Sequence, residues 1–206
     1  MNDGELTVRG LMDLVHSYYP ITSNQEINEQ EIMAILRQSE ERKAWWARRV
    51  ECGERWREWL EIIEEANQAA PGYDWRNDTT PICTSQEVVV MRKDRKPLVD
   101  GSVDTKLIVR ASFLAPVWEA YQTTSVVREV GLKRYKHSTQ YRRTHDVSDA
   151  FEPAAVALGR AIEARRGPQQ RLYEDVTGIR VLNTIDWAFE AHGSTLGELL
   201  FSAYAW

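Results

Sequence analysis

Apolar residues recur every three or four positions through the first 72 residues, the spacing of amphipathic helices. This spacing predicts a short first helix that ends at Pro20. It then predicts one long helix, or two divided near Ser39 or Gly53, with Ser23 or Asn24 as the N-terminal cap. The apolar positions are Val8, Leu11, Met12, Val15 and Tyr18 in the first segment, and Ile32, Leu36, Trp46, Val50, Leu60 and Ile63 in the second.

The pattern changes to that of β-strands after a turn-rich segment at 73–85. Runs of β-branched and aromatic residues at 86–92, 105–114 and 117–127 predict three strands, and 130–135 with 140–144 add a fourth and a fifth. Pro97 and the Asp100-Gly101 pair form a turn between the first two. Because short turns connect the strands, we expect an antiparallel meander.

Helical signals return after residue 145. Asp149 and Glu152 have the spacing of a capping box, and a helix begun there ends with cations followed by Gly167. Thr195 and Glu198 form another capping box before a short apolar helix. Residues 172–181 are compatible with either a helix or a strand, and residues 184–191 are expected to be helical. The fold class is therefore α+β, with a central, mainly antiparallel sheet bracketed by N-terminal and C-terminal helices.

The composition supports one folded domain over residues 1–206, helical at 1–72, mainly strands at 73–145 and mixed but mostly helical at 146–206. Hydrophobic residues make up 43% and charged residues 28%, a globular balance. The first twenty residues lack the basic start and apolar run of a signal peptide, and no apolar stretch is long enough for a membrane span. With only two cysteines, we expect a cytoplasmic protein that does not associate with membranes.

Charge is unevenly distributed along the chain. The net charge of -5 argues against general affinity for nucleic acid. However, residues 128–145 contain six Lys or Arg and one acid, interleaved with tyrosines. Cations beside aromatic rings are one way to bind single-stranded nucleic acid, whereas a solvated strand surface is the simpler interpretation. The basic patch of this alternative comprises Lys133, Arg134, Lys136, Arg142 and Arg143.

No motif of a known catalytic or cofactor site is present. The chain has neither of the glycine-rich patterns that bind nucleotide phosphates, and its four histidines lack metal-ligand spacing. We therefore predict a protein without enzymatic activity, metal or cofactor. An enzyme remains the third hypothesis, with Cys83 as a nucleophile beside His137 or His145; an inert thiol is the alternative interpretation of Cys83.

The segment from 45 to 61 concentrates the residue types that dominate protein interfaces. It contains four of the eight tryptophans, with arginines between them, and an adjacent tryptophan pair cannot point the same way on a helix. Acids at 51, 54, 58, 61 and 65 predict an acidic helix face, which either imitates phosphate toward a basic partner or is solvated. Burial of the tryptophans in the core is the competing interpretation. The predicted partner-binding residues are Trp45, Trp46, Arg49, Glu51, Glu54, Trp56, Glu58, Trp59 and Glu61.

The chain resembles the small cytosolic immunity proteins that bacteria encode beside polymorphic or contact-dependent toxins. The resemblance lies in its modest size, acidic charge, helix-sheet-helix order and short capped apolar helix, here Ser194-Thr195-Leu196-Gly197-Glu198-Leu199-Leu200-Phe201. It implies a non-catalytic inhibitor that binds a cognate toxin and occludes its active site. Segregated acidic and basic segments are compatible with electrostatically steered binding to a charged protein.

Overall fold

The computed structural model describes residues 6–22, 28–79, 85–96, 101–129, 135–182, 184 and 194–201, apart from the side chains of Glu29, 127–129 and 135–143. Seven helices lie within these ranges: α1 (Val8–His16), α2 (Glu29–Gln38), α3 (Glu40–Glu54), α4 (Trp56–Ala69), α5 (Glu152–Arg166), α6 (Glu174–Thr177) and α7 (Leu196–Phe201). The strands there are β1 (Tyr73–Asn77), β2 (Ser85–Arg92), β3 (Val103–Ser112), β4 (Val117–Glu129), β5 (Tyr135–Thr144) and β6 (Gln170–Leu172).

The strands form one sheet that follows chain order. Strands β1 to β5 are neighbours in sequence order, and each pair is antiparallel. Strand β6 lies parallel to the first residues of β4, where Val117 opposes Gln170, while β5 pairs with β4 further along. The predicted α+β fold with a mainly antiparallel meander is confirmed.

Helices α4 and α5 cover one face of the sheet. Alternate residues of the strands point to this side, as the two-residue period of a strand requires. Val88, Leu107 and Ala120 there pack with Ile62 of α4 and Leu158 of α5, and all five are fully or almost fully buried. The arrangement fixes α4 across the sheet, so its opposite side faces outward.

A second apolar cluster lies where the remaining helices meet the ends of the strands. Leu11 of α1, Leu36 of α2, Trp45 of α3 and Leu200 of α7 pack there with residues at the start of β4. Helix α7 is held to the sheet by hydrogen bonds: the Ser112 hydroxyl donates to the Leu200 carbonyl at 2.9 Å. This cluster anchors α3 against the sheet.

The helical N-terminal portion differs from the prediction in its divisions. It contains three helices after α1 instead of one or two, because the chain breaks at both predicted places: at Ser39, and at Arg55, two residues after Gly53. The cap of α2 is Asn28, whose side chain accepts from the Glu31 amide at 3.0 Å. The proposed caps at 23 and 24 lie outside the described residues.

Three other local predictions differ from the structure, and one is confirmed. The turn-rich segment contains β1, because its alternating half-buried residues pair with β2. Helix α5 begins at Glu152 without a side-chain cap, so the capping box from Asp149 is wrong. The capping box at Thr195 and Glu198 is confirmed, with the Thr195 amide donating to the glutamate at 2.7 Å. Residues 140–144 belong to β5 with the preceding ones, and 130–134 lie outside the described part.

Two glycines in helices are expected to respond in opposite ways to replacement by alanine, one losing and one gaining stability. A β-carbon on Gly159 of α5 would lie 2.7 Å from the buried Trp118 ring, whereas one on Gly53 of α3 meets nothing within 4 Å. We expect Gly159→Ala to lower the free energy of unfolding by about 1 kcal/mol, since overpacking outweighs the gain in helix propensity. Gly53→Ala should raise it by up to about 1 kcal/mol. Urea unfolding of both variants checks the pair, and equal effects would contradict the packing of α5 on β4.

Candidate functional site

The four tryptophans of α3 and α4 divide into two groups. Trp45 and Trp59 are buried, with 1% and 0% of their surfaces exposed. Trp46, next to Trp45, is 38% exposed, and Trp56, three residues before Trp59, is 42% exposed. Burial in the core therefore holds for Trp45 and Trp59, which removes them from the predicted partner-binding residues, and Trp46 and Trp56 remain accessible.

The exposed pair belongs to outward apolar positions on each of the two consecutive helices. Trp46 and Val50 are four residues apart on α3, and Trp56 and Leu60 are four apart on α4, so each pair shares one helix face. Val50 is 61% and Leu60 44% exposed. We call Trp46, Val50, Trp56 and Leu60 the tryptophan stripe.

An arginine orders one end of the tryptophan stripe. The guanidinium of Arg49 lies 4.6 Å from the Trp46 ring centroid and 5.8 Å from that of Trp45. The two rings meet edge to face at 5.2 Å. Contact with two aromatic rings restricts both the arginine and the exposed Trp46.

The acidic face of α3 and α4 makes ion pairs within the chain. Arg165 of α5 lies 2.5 Å from Glu61 and 3.4 Å from Glu65. Glu51 is paired with Arg48 at 2.5 Å, while Glu54 is exposed. The two pairs with Arg165 link α4 to the end of α5, and all three pairs offset the negative charge that the phosphate-mimic hypothesis requires.

Glu58 links α4 to the C-terminus of α5. Its carboxylate accepts from Arg55 at 2.9 Å and from Arg166 at 2.7 Å, and the Arg166 side chain is only 7% exposed. Partial burial disfavours the charged form of Glu58. The hydrogen bonds and positive charges of Arg166 and Arg55 outweigh that effect and lower its pKa.

Replacing the Glu58 carboxylate is expected to lower stability by an amount that depends on pH. Glu58→Gln leaves Arg166 without its counter-charge, and we expect about 1.5–3 kcal/mol less unfolding free energy at neutral pH. Because folding lowers the pKa of Glu58, its contribution is present above the unfolded value and is lost as pH falls through the folded value. The difference from wild type should therefore shrink below pH 4.5, the ordinary glutamate pKa. Urea titrations across pH test this, with the exposed Glu64→Gln as control; a pH-independent difference would contradict the pairing.

The face of the sheet away from α4 and α5 carries a row of charges, one on each of three neighbouring strands. Glu87, Arg110 and Glu119 stand directly opposite one another in the strand register. The arginine lies 2.6 Å from Glu87 and 3.8 Å from Glu119, which is fully buried. Burial works to lower the pKa of Arg110, but Tyr121 and the two carboxylates raise it above its ordinary value.

His145 joins this row from the end of β5. Its Nε2 atom lies 3.1 Å from a carboxylate oxygen of Glu119, and its ring lies 5.8 Å from that of Tyr121. A cavity of about 450 Å³ on this face is lined by Glu87, Arg110 and Tyr121, together with Lys106 and Thr123. Glu87, Arg110 and Glu119 form a partly buried cross-strand ion network, in which each charge has an opposite neighbour.

The basic patch and Cys83 lie wholly or partly outside the described part of the chain. Lys136, Arg142 and Arg143 lie in β5, but their side chains are outside the described part, as are Lys133 and Arg134 altogether. Cys83 also lies outside it. Within the described ranges, no group of three or more His, Cys, Asp or Glu side chains is placed to hold a metal ion, and none of the helices there has the length and apolar character needed to cross a bilayer.

The sequence analysis missed the charged row, although a signal for it was present. Glu87, Arg110 and Glu119 each interrupt a largely apolar strand segment. In an antiparallel meander, consecutive strands place such residues opposite one another once the register is known. Comparison of the chain with protein-family models, curated proteins and solved structures finds no match.

Proposed function

We propose that the chain is a non-catalytic protein-binding module, an inhibitor of the immunity type whose tryptophan stripe docks on a cognate toxin. The observation that carries the proposal is the outward exposure of Trp46 and Trp56 on helices whose other tryptophans are buried. Exposed indole surface beside arginine is the chemistry of interface hot spots. A row of large apolar side chains in water is unfavourable unless a partner covers it.

The rigid mounting of the tryptophan stripe supports the same proposal. Helix α4 is packed on the sheet through Trp59 and Ile62, and α3 through Trp45. The exposed residues therefore occupy fixed positions before binding, as tight inhibitors require. Charge around the stripe then steers association: Arg49 and Arg57 add positive charge and Glu54 negative charge.

The test begins with affinity capture of the tagged chain from its native host, with and without nuclease treatment. A partner retained at equal stoichiometry after nuclease treatment is then identified. That partner is then expressed alone and together with the chain. We expect it to arrest growth alone and to be neutralised by wild type, but not by the double variant Trp46→Ala/Trp56→Ala. Tyr173→Ala, which removes an exposed aromatic outside the stripe, is the matched control.

Two outcomes would contradict the proposal. One is a partner that does not arrest growth, which removes the inhibitor role. The other is full neutralisation by the double variant, which removes the tryptophan stripe as the docking surface. Capture that depends on nucleic acid would instead favour the basic patch of β5 and the preceding residues.

A further inference from the structure

A cavity of about 280 Å³ lies between α3, the ends of β2 and β3 and the C-terminus of α5. It is separate from the tryptophan stripe, because it lies against the sheet side of α3. Its lining includes three arginines, two glutamines, a glutamate and a cysteine. These residues are Arg48, Arg55, Arg166, Gln86, Gln169, Glu51 and Cys52.

The three arginines are not fully balanced by the acids that contact them. Arg48 is paired with Glu51 at 2.5 Å. Arg55 and Arg166 share one carboxylate, that of Glu58. Three guanidinium groups therefore meet two carboxylates, which leaves one positive charge at a half-enclosed site, where solvent screens it less than at an open surface.

Gln86 supplies a second, independent indication of a ligand. The residue is 1% exposed, and its side-chain oxygen accepts a hydrogen bond from the buried Arg166. Because arginine only donates, this bond fixes which end of the amide is the oxygen. The Nε2 donor at the other end has no partner among the described residues. A buried donor left unpaired is unfavourable, so an acceptor at this position is expected.

We propose that this cavity binds an oxyanion, either a phosphate group or a carboxylate, which accepts a hydrogen bond from Gln86 Nε2 and is held by the surplus guanidinium charge. Planar guanidinium groups match the oxygens of both ligands. Arg48 and Arg55 both line the cavity, so they can contact the same anion. The proposal does not depend on the docking function of the tryptophan stripe.

Cys52 offers a readout at the site itself. It lines the cavity, is half-buried and is one of two cysteines, so Cys83→Ser leaves it as the single thiol. Burial raises the pKa of Cys52 although Arg166, Arg55 and Arg48 act to lower it, so its alkylation is measured at one fixed, mildly alkaline pH. The reagent is iodoacetamide, which is uncharged. The probes are inorganic phosphate and glutarate, each compared with chloride at equal ionic strength.

We expect at least one probe to slow alkylation saturably, by about tenfold when present at roughly ten times its dissociation constant, because only the free site reacts. Protection by phosphate alone assigns a phosphate site, and protection by glutarate alone assigns a carboxylate site. Gln86→Glu keeps an oxygen for Arg166 but replaces the free donor with negative charge, so it should abolish protection. Arg57→Gln, which removes an exposed cation outside the cavity, should retain it.

Two results would overturn the proposal: no protection by either probe in the Cys83→Ser protein, or equal protection in the Gln86→Glu variant. Thermal unfolding shows whether Gln86→Glu is folded. If it is not, Arg48→Gln at the exposed rim takes its place, with weakened protection expected and unchanged protection contradicting the site.

Discussion

Replacing Trp59 by alanine is expected to lower the free energy of unfolding by about 3–5 kcal/mol, the usual effect of removing a buried indole. Trp59 is fully buried between α4 and the sheet, and the Arg166 guanidinium lies 5.6 Å from its ring centroid. The substitution therefore leaves a cavity and also removes a contact of a buried cation. Equilibrium urea unfolding followed by circular dichroism measures the loss.

The matched control is Trp56→Ala, the same change three residues earlier. Trp56 is 42% exposed, and we expect its loss to change the unfolding free energy by about 0.5 kcal/mol or less. Similar losses for the two variants would show that α4 is rotated from the position described, and the tryptophan stripe would then not exist as a surface.

The second large effect is expected at the centre of the charged row on the sheet. Arg110→Met leaves the buried Glu119 and its neighbour Glu87 without their shared cation, and we expect a loss of about 3–5 kcal/mol. The double variant Arg110→Met/Glu119→Gln removes one of the uncompensated charges. It should recover part of that loss, because desolvating a neutral amide is less unfavourable than desolvating a carboxylate.

An exposed ion pair on β1 and the loop after it provides the comparison. Arg76 lies 3.1 Å from Asp78, and both side chains are largely exposed. Arg76→Met should change the unfolding free energy by about 1 kcal/mol or less. If Arg110→Met has an equally small effect, or if the double variant is the less stable of the two, the row is not a buried network of opposed charges.

Much of the fold could be predicted because hydrophobic spacing reports local structure. The apolar runs at 86–92 and 117–127 indicated strands, and short connections between strands favour antiparallel neighbours. Strand β1 was missed because it lies among turn-forming residues and only its alternate residues are half-buried. It is defined by its pairing with β2. Strand β6 has only three residues, and its parallel contact with β4 follows from tertiary packing that no local pattern encodes.

The candidate surface could be predicted only in part, and for the same reason. Helical spacing placed Glu58, Glu61 and Glu65 on one face, yet their arginine partners on α5 are about a hundred residues away in sequence. Spacing also indicated that Trp45 and Trp46 diverge, but the tertiary fold decides which of them is buried. The Gln86 cavity combines residues from four segments and has no sequence signal.

The affinity of the Trp46→Ala/Trp56→Ala variant for the captured partner tests the role of the tryptophan stripe most directly. Two interface tryptophans at about 2 kcal/mol or more each predict a dissociation constant weakened by about a thousandfold, with the change mainly in the dissociation rate. The melting temperature and the affinity of the Tyr173→Ala control should match wild type. An unchanged dissociation constant in the folded double variant would contradict the proposed docking surface.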